Sequence, residues 1–277
     1  VNLFNWDKYR YDKQITAADP DASGDPAVFM CGGTEENERE DLLRAIRMLF
    51  ENGCISDLNQ VACLFRSVKS EEAADLGRYL EANGIPVYSP RSDMFFERQE
   101  VKQILGCLML CFQSYLGDLK RNSFTHLISD TLRDYYIACV KEASVIYKGN
   151  PDLYAFVQKQ AGEILNVKEE NEDGLLDIFY KLISFAPFDE YLSADLQDNV
   201  LRSRAARNLS EISRLLSRFS HLHGMHSITP VNRISLPEEL FNDFFRCLYV
   251  DGIGEYEDDS EYAPTGCVSF MTIHQSK

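Results

Sequence analysis

An apolar segment of β character, Val268-Ser-Phe-Met-Thr272, stands near the end of the chain, cut off from every other strand-forming segment by a long stretch of helical periodicity. A strand cannot satisfy its backbone alone, so this one has to pair with segments that lie far upstream. The candidates are Val61-Ala-Cys-Leu-Phe65 and Ile85-Pro-Val-Tyr88, with a helical segment from Ser70 to Asn83 between them. Strand, helix, strand in that rhythm implies right-handed βαβ units and a parallel sheet. The chain is therefore expected to open an α/β sheet, insert a helical region, and close the sheet with a last strand delivered after the insertion.

Local signals agree. Residues 1–26 are polar and turn-rich and are expected to be an extended lead-in. Ala27–Cys31 is expected to be a short strand. Leu42, Leu43, Ile46, Leu49 and Phe50 recur at helical spacing within Glu35–Asn52, with Thr34 placed to cap that helix and Gly53 to close it. The unbroken apolar run Val61–Phe65 is what a strand buried on both faces looks like. Ser70 is the expected cap of the next helix, with Glu71 and Glu72 in its first turn, where the helix dipole favours acids. Beyond Gln99, a helical stripe of Val101, Ile104, Leu105, Leu108, Met109 and Phe112 begins a region read as helix nearly throughout, including Leu175–Phe185 and Asn199–His223. The resulting domains are 27–112 with 266–277 for the α/β part and 113–265 for the helical part. The acidic tract Asp251–Tyr262 is read as a solvated linker back to the final strand.

The net charge of −16 argues against a self-sufficient nucleic-acid binder, since phosphate contacts need clustered Lys and Arg. It leaves room for phosphate contacts confined to a narrow surface. The eight cysteines form no Cys-x-x-Cys and no zinc-type spacing, and are expected to be reduced core thiols of a cytoplasmic protein. No apolar run reaches the length of a membrane span and no signal peptide is visible, so no membrane partner is expected.

Thr272-Ile-His274-Gln-Ser-Lys277 following an apolar strand resembles motif V of the UvrD/Rep/PcrA-type superfamily 1 DNA helicases. There the pattern runs Met-Thr-x-His-x-x-Lys and continues Gly-Leu-Glu-Phe. Phe65-Arg66-Ser67, the following helix, Gly84-Ile-Pro-Val87 and Phe95-Phe96-Glu97-Arg98-Gln-Glu100-Val-Lys102 match the same family in order, spacing and type. The resemblance implies an α/β RecA-like parallel sheet, partial here, interrupted by a large all-α insertion domain. These would be subdomain 2A and the helical subdomain 2B. The chain, starting at Val1 and stopping within the motif, reads as a fragment of a longer helicase.

By that resemblance Thr272 and His274 contact single-stranded DNA phosphates, Arg66 and Ser67 lie near the DNA track, and Lys277 couples to the ATP cleft. Strand ends in such sheets present side chains at the carboxyl edge, where ligands bind, and a hydroxyl and an imidazole there can hold phosphates without reading bases. The plain alternatives are a strand-end cap for His274 and a surface ion pair for Arg66. Val68 stands where the family often has Asn. Phe96 and Arg98 either touch DNA or pack the next helix against the sheet, with Glu97 and Glu100 available to pair with Arg91 or Arg98. Arg207, Arg214 and Arg218 are spaced along one helix face, read as solvated rather than as a duplex contact. His221, His223 and His226 are read as a helix end rather than a metal site.

No Gly-x-x-x-x-Gly-Lys-Ser/Thr signature and no metal-binding acid pair is present, so the chain alone is expected to bind no cofactor and to hydrolyse no ATP. ATP and Mg²⁺ are implied for the intact enzyme, with the missing first motor domain as partner. Two other readings remain: part of an AddA/RecB-like helicase–nuclease, and a non-catalytic acidic module that docks a protein.

Overall fold

The computed structural model describes residues 34–89, 95–169, 173–193, 200–252 and 265–272. The expected lead-in, the Ala27–Cys31 strand, Arg91, most of the acidic tract, His274 and Lys277 lie outside them. The chain divides into two compact units, Val1–Leu42 and Leu43–Lys277. Of the first, only the opening half of helix α1 (Glu35–Glu51) is described, with Thr34 Oγ1 accepting from the Asn37 amide at 3.3 Å as a cap.

In the second unit three strands, β1 (Ala62–Phe65), β2 (Val87–Tyr88) and β3 (Val268–Thr272), form an all-parallel sheet in the order β1-β3-β2. The strand that comes last in the sequence sits in the middle. Its register pairs Ala62 with Ser269 and Phe65 with Thr272 on one side, and Val87 with Val268 on the other. The Ser269 amide donates to the Val61 carbonyl at 3.0 Å and the Val268 amide to the Pro86 carbonyl at 2.9 Å. Phe65 and Phe270 pack with ring centroids 4.9 Å apart on the inner face. Helix α2 (Glu71–Ala82) connects β1 to β2 and is capped by Ser70 Oγ, which accepts from the Ala73 amide at 3.3 Å.

One expectation fails. Val61–Phe65 is not buried on both faces: Ala62 is exposed and Leu64 is 50% exposed. Among the described residues β1 is an edge strand, and an unbroken apolar run does not reveal whether anything covers its outer face.

Past the sheet the chain is helical. Helix α3 (Gln99–Cys111) is the axis, apolar almost all round and buried on nearly every side. Around it pack α4 (Gln113–Lys120), α5 (Asp130–Gly149), α6 (Pro151–Leu165), α7 (Leu175–Leu182) and α9 (Val200–His223), with α8 (Phe188–Ser193) against α9. At the crossing of α3 and α5 a Cβ on Gly106 would lie 2.1 Å from the Cys139 carbonyl oxygen, so the two backbones approach as closely as they do only because residue 106 is glycine.

The last helical segment runs from α10 (Ser235–Glu238) through a π-helical stretch, Glu239–Phe245, into α11 (Arg246–Asp251). A π turn redirects carbonyls, and side chains collect them here. Tyr136 Oη donates to the Phe241 carbonyl at 2.6 Å and Arg246 Nε to the Asn242 carbonyl at 2.7 Å. The Asn242 side chain accepts from Tyr115 Oη at 2.8 Å. These bonds, and the aromatic packing of Phe241 and Phe245, fix the segment that leads toward β3.

Candidate nucleic-acid interface

Because all three strands are parallel, their carboxyl ends form one edge. The register sets Phe65 beside Thr272, so Arg66 follows at the point where the two longer strands finish together. The backbone bends at Arg66, and its side chain is exposed. Thr272 is half-buried.

The loop from β1 to α2 is held by its own hydrogen bonds. Ser67 Oγ accepts from the Lys69 amide at 3.2 Å, and the Ser67 carbonyl accepts from the Ser70 amide at 3.3 Å. Val68, which stands where Asn was expected, turns inward and is 7% exposed. Its burial anchors the loop, while Arg66, Ser67 and Lys69 on either side stay exposed. Lys69 was not singled out from the sequence. The available signal was a second cation in the turn after a buried-type strand. Arg66 makes no ion pair among the described residues. The nearby N-terminus of α2 is less suited to an anion than a bare helix end, because Glu71 and Glu72 occupy its first turn. Arg66, Ser67, Lys69 and Thr272 thus lie at or just after the carboxyl ends of β1 and β3, with Glu71 and Glu72 following in α2.

Phe96 and Arg98 lie elsewhere. Phe96 is 4% exposed, with its ring edge-on to Phe95, Tyr135, Phe245 and Tyr249 at centroid distances of 5.2, 5.9, 6.4 and 5.5 Å. Arg98 is also 4% exposed, and its Nη1 donates to both carboxylate oxygens of Glu81, at 3.0 and 2.8 Å. Arg204 Nη1 reaches the same carboxylate at 2.7 Å and the Val87 carbonyl at 3.3 Å. One acid on α2 is thus shared by arginines from the start of α3 and from α9. Arg98 is thus taken by Glu81, and Arg91, the other partner expected for Glu97 and Glu100, lies outside the described residues. Glu97 takes Lys102 at 2.8 Å, and Glu100 accepts from the buried Asn208 at 2.7 Å. No local pattern announces these ties, since Arg204 and Asn208 come from a helix far downstream.

On α9, Arg207, Arg214 and Arg218 are all exposed, and Arg214 pairs with Glu211. His223 stacks on Phe219 and lies 3.0 Å from Glu239 Oε2. Among the described residues no group of three His, Cys, Asp or Glu side chains could hold a metal, and the sequence has no phosphate loop.

A small parallel sheet closed by a strand that returns after a helical region is a partial RecA-like domain with a helical insertion. The family is more specific: residues 2–277 match the UvrD-like helicase C-terminal domain, and the chain belongs to that family, whose members are parts of ATP-dependent helicases. No curated protein sequence matches it. No helix among the described residues is long and apolar enough to cross a membrane.

Proposed function

We propose that this chain forms the second motor half of an ATP-dependent DNA helicase of the UvrD type, with residues 27–112 and 266–277 as subdomain 2A and 113–265 as subdomain 2B. It holds single-stranded DNA by its phosphates at the carboxyl edge of the sheet and supplies one wall of the ATP cleft. Arg66 contributes charge, Ser67 and Thr272 contribute hydroxyls, and His274 and Lys277 follow directly on the central strand. ATP and Mg²⁺ are held mainly by a first motor domain that carries the phosphate loop. The observation that carries this reading is the parallel pairing that sets Thr272 beside Phe65 and so next to Arg66. Backbone-only contacts of this kind grip a strand without regard to sequence, as a translocating motor requires.

The test is binding of a labelled oligo-dT to the chain across a salt series, with phosphate release from ATP measured alongside. Each phosphate neutralised on a single strand contributes about 0.7 to the slope of log K against log salt. Arg66→Ala is expected to weaken binding and to lower that slope by about 0.7. Thr272→Val is expected to weaken binding with the slope unchanged, and the chain alone is expected to release no phosphate. Oligo-dT affinity and slope that are both indifferent to Arg66→Ala would remove the basis for placing DNA at this edge.

A further inference from the structure

β1 poses a problem of register. Its residues are apolar on both faces, with Cys63 and Phe65 inward and Ala62 and Leu64 outward. A one-residue slip normally carries a penalty because it exchanges a buried apolar face for a polar one. Here the exchange would present apolar residues either way. β2 contributes only Val87 and Tyr88 to the ladder, which adds little further constraint. β3 nevertheless has to arrive from the far end of the chain in one register, since a slip would move Thr272 away from Phe65 and Arg66.

Asp57 is placed to settle this. It caps the 3₁₀ turn Leu58–Gln60 that runs straight into β1, with Oδ1 accepting from the Asn59 amide at 2.8 Å. Its own amide donates to Gln60 Oε1 at 3.2 Å, and the Ser56 amide donates to the same oxygen at 2.6 Å, so the carboxylate is fixed relative to β1. Both carboxylate oxygens then accept the Gly266 amide, at 2.9 and 3.2 Å. Gly266 lies just before β3 and has φ +81°, a conformation that other residues reach only with strain.

We propose that Asp57 is a positioning residue for the DNA-holding edge: by seizing the Gly266 amide it sets the register at which β3 joins β1, and thereby fixes Thr272 beside Arg66. The inference rests on the phosphate-holding reading of that edge, but its structural half is independently measurable. Asp57→Asn keeps an acceptor oxygen in place. Asp57→Glu keeps the charge but moves it by one methylene. Asp57→Ala removes both.

The experiment is amide hydrogen exchange on the 277-residue chain, read at Gly266, Val268 and Ser269 with α5 amides as the internal control, together with oligo-dT binding. In Asp57→Ala the three β3-proximal amides are expected to exchange roughly tenfold faster or more, the loss scale for one charge-assisted hydrogen bond, while α5 is unchanged. Oligo-dT affinity is expected to fall several-fold. Asp57→Asn is expected to restore both readouts, and Asp57→Glu neither. Wild-type exchange in Asp57→Ala, or in Asp57→Glu if the alanine variant does not fold, overturns the proposal. So does failure of Asp57→Asn to rescue. Arg66→Ala separates the two ideas: it should reduce binding with exchange unchanged. If exchange responds to Asp57 while binding ignores Arg66, the register role stands and the DNA-edge reading falls.

Discussion

The α3–α5 crossing can be tested with a single methyl group. A Cβ at residue 106 would stand 2.1 Å from the Cys139 carbonyl oxygen, 2.6 Å from its carbon and 2.7 Å from the Ala143 Cβ. Ordinary C···O contacts begin near about 3.3 Å, so the helices would have to part locally by about 1 Å. Two of the three obstacles are backbone atoms, which no rotamer change can move. Overpacking a well-filled core costs about 1–3 kcal/mol, and a backbone obstacle places this site at or above the top of that range. Against it stands the helix-propensity gain of Gly→Ala, about 1 kcal/mol. Gly106→Ala is thus expected to destabilise the chain by about 2 kcal/mol or more. Gly162→Ala on α6 isolates the opposing term, because a Cβ there meets nothing within 4 Å. It should stabilise by about 0.4–1 kcal/mol. Urea unfolding followed by far-ultraviolet circular dichroism reads both. A Gly106→Ala midpoint at or above wild type would show that the two helices do not cross at this distance.

The shared carboxylate of Glu81 makes a second prediction. Glu81→Ala removes the acid from two guanidiniums at once, one of them 4% exposed, and is expected to cost about 3–5 kcal/mol in urea unfolding, the range for breaking a buried pair from one side. Arg204→Ala, on the more exposed side, should cost clearly less, and equal costs would contradict the geometry. The thiols give a third. Cys54 and Cys247 are exposed and should react promptly with a disulfide reagent at pH 8. Burial pushes the Cys107 and Cys139 thiols up to about 12 and Cys111 higher still, so these should react only as fast as the chain opens. Rapid labelling of the α3 cysteines in a folded sample would refute the all-round burial of that helix.

What the sequence disclosed and what it withheld follow from the range of the interactions concerned. Caps are local: Thr34 and Ser70 announced their helices because the bond reaches only three residues along the chain. The α3 stripe was legible because its period is a property of the segment itself. The exposed outer face of β1 was not, since an apolar run has the same composition whether or not something covers it. Nor were the ties from Arg204 to Glu81 and Asn208 to Glu100, whose partners are brought together only by the packing of α9. The strand order with β3 in the centre follows from topology, and no local pattern encodes it. Gly106 illustrates the same limit, because a glycine within a helical stripe reads as a weakness until the neighbouring backbone is known.

The proposed DNA edge is compatible with an acidic chain. Screening confines an exposed charge to about 8–10 Å at physiological salt, so the net charge of −16 matters less at the sheet edge than the charges within that radius. There the loop between β1 and α2 places Arg66 and Lys69 outward by turning Val68 inward. Elsewhere, Arg98, Arg204 and Arg214 are spent on internal acids. On the proposed reading, the strand is touched along one line at this edge rather than over a broad face. That is sufficient for a motor half whose grip has to be released at every step, and it is the reason the binding expected of this edge is weak, salt-sensitive and concentrated in so few residues.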